Sequence, residues 1–208
     1  MTGVIRDESE LRELLGEPTD VVRSKVSDRL NDLTRQFVER SPFVCLATSS
    51  PDGSCDVSPR GDPAGFVRIL DESTLLLPDR PGNRLADSLR NILRNPQVGL
   101  LFVVPGVGDT LRVNGRAQLV TDPELLAPAA VEGRTPKLGI LIEIDEAFTH
   151  CSKAFIRSGL WDPATFVDRS ELPSSGAILA SLDDDPSFDA EEYDRARAER
   201  YARREGLY

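Results

Sequence analysis

The chain is poor in the residues from which most catalytic and metal-binding centres are built. Its 208 residues include one histidine, three cysteines, one methionine and one tryptophan. With a single imidazole, His150, no histidine-based triad can be assembled, and its neighbour Cys151 is too close in sequence for workable Cys-His geometry. Cys45, Cys55 and Cys151 lie far apart and form no C-x-x-C pair, so a zinc site is not expected. Haem ligation by His150 is the one metal-linked alternative the residue set leaves open. Three sparse cysteines also exclude a disulfide framework and point to a reducing compartment. The first ten residues lack the basic start and apolar run of a secretory signal, so a cytoplasmic location is expected. No apolar run approaches the roughly 20 residues that a membrane helix needs. Neither a Walker nor a Rossmann glycine fingerprint is present.

Basic residues are outnumbered as well. Lys and Arg total 25 against 35 Asp and Glu, a formal net charge of −10. Such a surface repels phosphate backbones, so nucleic acid is not an expected partner. The acid is unevenly placed: Asp183-Asp184-Asp185 through Glu192 is strongly acidic, whereas Ser58 to Arg116 is rich in arginine. That contrast suggests a local anion site. Hydrophobic residues make up 39% and charged residues 29%, which fits a soluble globular protein. A chain of this length buries roughly 70% of its unfolded surface and needs no covalent staple.

The chain divides into three zones: a helical arm over residues 1–41, a mostly β domain over 42–172, and a tail over 173–208. In the arm, a helix is expected from Asp7 to Leu15, stopped by Gly16. A second is expected from Asp20 to Glu39, burying Val22, Val26, Leu30, Leu33 and Phe37 along one stripe. Ser41-Pro42 ends it. Strands are predicted at Phe43–Ser49, Cys55–Ser58, Gly65–Leu70, Thr74–Leu77, Gln97–Val104, Thr110–Val120 and Leu138–Ile144, with Pro51-Asp52-Gly53 turning the first hairpin. Short strands with tight turns point to a barrel or sandwich. One helix interrupts them, from about Arg84 to Arg94, with Leu85, Leu89, Ile92 and Leu93 facing inward. The tail reads as a surface linker to about Ser187, then a helix over Asp189–Arg204 with acids first and arginines last.

Three constellations carry candidate chemistry. Ser58-Pro59-Arg60-Gly61-Asp62 follows a strand. Leu77-Pro78-Asp79-Arg80-Pro81-Gly82-Asn83-Arg84 joins a strand to the inserted helix. A turn feeding a helix start leaves backbone N–H groups free for phosphate. Arg60, Arg80 and Arg84 add forked donors, and Asn83 is a cap and a further donor. The competing structural reading pairs these arginines with Asp62, Asp79 and Asp87. The third constellation runs from His150 to Trp161. Lys153 and Arg157 share a helix face there, and Trp161 can stack on an aromatic ligand or simply be buried.

Taken together, the D-G turn, S-P-R-G-D, L-P-D-R-P-G-N-R, V-G-L-L-F, T-L-R-V-N-G-R-A and H-C-x-K-A-x-x-R-S-x-L-W resemble the pyridoxamine 5′-phosphate oxidase-like family of flavin-binding split barrels, and look closest to a subgroup whose FMN-dependent activity is inferred. The resemblance covers about Val21 to Pro163. It implies a six-stranded antiparallel split β-barrel (mostly β, α+β) with N-terminal helices, one inserted helix and a helical tail. It also implies a homodimer with FMN at the interface. By position, Arg60 and Asn83-Arg84 match the family's phosphate-binding residues, with Ser58, Asp79 and Arg80 flanking them. The segment bearing Lys153, Arg157, Ser158 and Trp161 is expected to reach FMN, from the partner subunit in one arrangement. The implied activity is FMN-dependent oxidoreduction of a small molecule, with a nicotinamide cofactor as candidate reductant and no assignable catalytic acid or base. An FMN carrier or sensor without turnover is the alternative. The chain's end, Arg203-Arg204-Glu205-Gly206-Leu207-Tyr208, departs from the arginine-bearing signature of true pyridoxamine phosphate oxidases, which argues against vitamin B6 oxidation. The tail after Pro173 is expected to have few contacts with the cofactor site.

Overall fold

A computed structural model describes residues 3–182 and 186–208; Asp183–Asp185, the start of the acidic run, lie outside the described residues. Seven antiparallel strands form one sheet: β1 (Phe43–Ser49), β2 (Cys55–Gly61), β3 (Arg68–Ile69), β4 (Thr74–Pro78), β5 (Gln97–Val103), β6 (Thr110–Val120) and β7 (Gly139–His150). Their order is β2-β1-β5-β6-β7-β4-β3. Alternation decides which face turns inward. Val44 and Leu46, Val98, Leu100 and Phe102, Leu111 and Val113, and Ile140, Ile142 and Ile144 are all buried on the inner face. Each such side chain contributes about 1.5–3 kcal/mol on burial.

The sheet is the split barrel that the resemblance implies, with β3 as an added two-residue strand at one edge. Its two edge regions are joined by side chains. Arg60 on β2 donates to Asp79, which follows β4, at 2.6 Å. Arg80 donates through Nε to Asp62 at 2.6 Å. These crossed ion pairs close the seam at one end. A bulge at Asn114/Gly115 shifts the β6–β7 register, and only glycine fits there: a Cβ would stand 2.1 Å from the Glu143 carbonyl oxygen.

The arm departs from the predicted long helix. α1 (Glu8–Leu15) forms as expected, capped by Asp7 and ended by Gly16 at φ 73°. The next stretch breaks into α2 (Asp20–Ser24) and α3 (Asp32–Arg40). Two local interactions outweigh the apolar spacing. Ser27 exchanges backbone hydrogen bonds with Ala147 of β7, at 3.1 and 2.6 Å. Asn31 forms a capping box with Thr34 and so starts a new helix. Leu30 is buried and Phe37 packs on the core, but Val22, Val26 and Leu33 are exposed, so the expected stripe is reduced to those two residues.

The inserted helix is α4 (Asp87–Arg94), three residues shorter at its start than predicted. Ile92 and Ser88 are buried, while Leu85 and Leu93 are exposed. After β6 come α5 (Pro123–Leu126) and a loop, and after β7 comes α6 (Lys153–Ser158). The tail's expected linker contains a helix, α7 (Ser175–Leu182), which packs on α8 (Ala190–Ala202). Close approach explains it. The Gly176 N–H donates to Asp194 at 2.8 Å, and a Cβ at Gly176 would lie 2.2 Å from the Ala190 carbonyl oxygen. No helix among the described residues is long and apolar enough to cross a membrane.

Candidate functional site

The second half of β2 runs along one side of the barrel seam, and the Pro78–Leu89 segment along the other. Between them opens a cleft of about 1290 Å³, walled on its third side by residues of the C-terminal segment. Ligand sites typically span roughly 300–1,000 Å³, so the cleft has room for a nucleotide-sized cofactor and a further small molecule. Ser58, Arg60, Asp79, Arg80, Asn83 and Arg84 all line it. The first two sequence constellations therefore meet in one place.

The charges of this cleft are unevenly satisfied. Asp79 is held by Arg60, and Asp62 by Arg80, whose guanidinium also donates to the Ala129 carbonyl at 2.8 Å. Asp56 accepts from the Ser88 hydroxyl at 2.6 Å. Asp87 lies 3.6 Å from Arg90, and Glu205 lies 3.6 Å from Arg203. Every carboxylate in the lining is engaged. Arg84 and Arg200 line the same cleft and have no ion pair or side-chain hydrogen bond among the described residues. The Nε of Arg60 is buried without an acceptor as well. Arg84 and Arg200 are exposed, so their guanidiniums are open to an anion that enters the cleft.

The helix start adds further donors. Arg84 lies outside α4, in the loop before it, so the expectation that it begins the helix is corrected. Arg84 has φ 65° and Ala86 has φ 58°, both in the left-handed region. The Asn83 carboxamide accepts from the Leu85 N–H at 3.0 Å and so shapes this turn. It does not cap the helix. The cap position falls to Ala86, which has no side-chain oxygen, so no side chain satisfies the first N–H groups of α4. Asp87, Ser88 and Leu89 of that first turn line the cleft. A strained loop, an uncapped helix start and the Arg84 guanidinium meet here, which is a donor set that suits a phosphate.

The third constellation lies apart. A shallower hollow of about 350 Å³ is lined by Gly108, Ser152, Phe155, Ile156, Gly159, Trp161 and Asp162, and shares no residue with the cleft. Trp161 stacks on Phe155 at 5.8 Å and donates its indole N–H to the Val107 carbonyl at 2.9 Å. Lys153, Arg157 and Ser158 lie on α6, are exposed, and line neither cavity. Within one chain, then, Trp161 and its neighbours are not brought to Arg60 and Arg84. His150 lines neither cavity. Burial lowers its pKa, and Arg112 and Lys25 lower it further. No group of three or more His, Cys, Asp or Glu side chains suited to a metal ion occurs among the described residues.

The family model described as pyridoxamine 5′-phosphate oxidase matches residues 30–151. The chain belongs to the pyridoxamine 5′-phosphate oxidase family. The match takes in β1 to β7, the seam and the Arg60–Arg84 side of the cleft. It stops before Trp161 and the tail. No curated protein matches the chain. Among solved structures, HupZ of Group A Streptococcus is 18% identical, with 58% of this chain and 98% of that one covered and a TM-score of 0.47. A Lactobacillus delbrueckii protein described as a candidate pyridoxamine 5′-phosphate oxidase is 23% identical, with 59% and 95% covered and a TM-score of 0.46. An FMN-binding protein of Syntrophomonas wolfei is 12% identical, with 57% and 89% covered and a TM-score of 0.43.

Sequence reasoning missed one wall of the cleft. Arg200, Tyr201, Glu205, Gly206, Leu207 and Tyr208 line it, so the tail is not remote from the site. Arg134 donates to the Tyr208 carbonyl at 2.9 Å, and Arg204 pairs with Glu132 at 2.7 Å, which docks the tail on the loop before β7. An aromatic residue a few positions after paired arginines was the only local sign. The partners they meet are more than 70 residues away in sequence, beyond the reach of any periodicity.

Proposed function

We propose that this protein is an FMN-dependent oxidoreductase acting on a small molecule, with a nicotinamide cofactor as its source of electrons. The observation that carries the reading is the set of donors on the cleft without a side-chain partner among the described residues: Arg84 and the uncapped first turn of α4. FMN ends in a dianionic phosphate, and these donors suit it. Ser58 and Asn83 line the same cleft and suit the ribityl hydroxyls. Phe66, Leu85 and Leu89 supply apolar wall for a flat ring. Bound FMN would supply the electron-transfer chemistry through its ring system. The chain's own work is to bind the phosphate, orient the ring and exclude water. Arg60 is already held by Asp79, so its guanidinium is positioned on the cleft without further loss of side-chain entropy.

The test is the absorbance spectrum of the purified protein, followed by mass spectrometry of the released cofactor. Flavin bands and the mass of FMN are expected. Anaerobic reduction by a nicotinamide cofactor and reoxidation by a panel of small molecules then separates an oxidoreductase from a carrier. A colourless protein that takes up no FMN on titration contradicts the reading.

A further inference from the structure

The tail belongs to the working parts of the cleft. Arg200 and Tyr201 of α8 and Glu205 to Tyr208 after it form part of the lining. The docking contacts are specific. Besides the Arg204–Glu132 and Arg134–Tyr208 contacts, the Tyr208 ring lies against the Arg80 guanidinium at 5.3 Å and against Arg204 at 5.8 Å. Arg80 is also the residue that ties Asp62 to the Ala129 carbonyl. Tyr208 thus packs on the central member of the seam. Its hydroxyl faces Asp62, and burial together with that contact raises its pKa.

Electrostatics gives this wall a purpose. Arg84 from the loop before α4 and Arg200 from α8 are like charges lining one cleft, and neither has a side-chain partner among the described residues. The helix itself offers Arg200 no acidic neighbour, since positions three and four residues away are Ala196, Arg197, Arg203 and Arg204, whereas Arg195 pairs with Glu192 and Arg203 with Glu199. Arg200 is left open on the cleft side. Two free guanidiniums in a cleft whose carboxylates are all engaged fit a dianion better than a monoanion.

Resting on the FMN reading, we propose that Arg200 is a second phosphate-binding residue, supplied by the same chain's tail, and that Tyr208 is a positioning residue that holds Arg80 and the seam in register behind it. FMN binding and seating of the tail are then coupled: the phosphate draws Arg200 in, and the tail shields the phosphate from water.

The experiment titrates the full chain with FMN and with riboflavin, which lacks the phosphate, following flavin fluorescence. Arg200→Ala should raise the FMN dissociation constant about tenfold, the effect of one lost charge-assisted hydrogen bond, and leave riboflavin unchanged. Tyr208→Ala should weaken FMN similarly, and Tyr208→Phe, which keeps the ring over Arg80, should restore it. Arg195→Ala, on the same helix but paired away from the cleft, should bind FMN as wild type does. If wild type binds FMN and the Arg200→Ala and Tyr208→Ala variants bind it equally well, the tail is inert and the inference falls while the flavin reading stands. If Arg200→Ala loses FMN and riboflavin alike, Arg200 supports structure and the inference also falls. A wild type that binds no FMN overturns the flavin reading itself.

Discussion

Ala86 stands at a position that suits neither its conformation nor its neighbours. It has φ 58° and occupies the cap of α4 without an oxygen to offer. Glycine tolerates that φ and is a better cap than alanine. Ala86→Gly should therefore stabilise the cofactor-free protein by about 1 kcal/mol, read from urea unfolding. A loss of stability would mean that the left-handed turn is not strained. His150 makes a second residue-scale prediction. Its folded pKa lies below the usual imidazole value of 6.5, first through burial and then through Arg112 and Lys25. Folding therefore favours the neutral ring. The stability this contributes is complete above about pH 6.5 and is lost as pH falls toward the folded value. His150→Gln should flatten the fall in unfolding midpoint between pH 7.5 and 5.5. An unchanged slope would show that other groups govern acid sensitivity.

Among the elements, the seam between β2 and the end of β4 carries the most specific chemistry. The Asp62 side chain is 1% exposed and that of Arg80 15%, so their pair is buried. Asp62→Asn leaves a buried guanidinium without its counter-charge and should cost about 3 kcal/mol. It should also loosen the tail, since Arg80 carries Tyr208. A cost below about 1 kcal/mol would show that water reaches the pair. The strands were legible in the sequence because alternating residues such as Ile140, Ile142 and Ile144 follow from a sheet with one dry face. The gathering of Arg60, Arg80 and Arg84 on one cleft was legible too, although Arg60 and Arg80 pair with Asp79 and Asp62, as the competing structural reading had it. What was not legible depends on distant partners. The split between α2 and α3 comes from a backbone bridge to Ala147, which no window around Ser27 contains. The true start of α4 depends on two left-handed residues that are not glycine. The tail's place follows from Glu132 and Arg134, which nothing near Arg204 or Tyr208 announces.

At the scale of the molecule, one face of the sheet remains open. Phe43 and Val57 are exposed, and register sets them beside half-buried Cys45, Leu101 and Val103 on β1 and β5. The hollow around Trp161 is separate from the cleft in the same chain. A homodimer that covers this face is our proposal for how both are used, and stable interfaces of that kind commonly bury about 2,000 Å² or more. Sedimentation at micromolar concentration should give one species near twice the 22.8 kDa chain mass. A monomer that binds FMN tightly would refute the dimer and leave the cleft intact. The central claim is that the cleft holds a phosphate through Arg84, and one comparison tests it most directly. FMN and riboflavin are titrated into wild type and Arg84→Ala. The account predicts that the substitution raises the FMN dissociation constant roughly tenfold to a hundredfold, the effect of one or two charge-assisted hydrogen bonds, and leaves riboflavin binding unchanged. Equal losses for both ligands, or no loss for either, would contradict it.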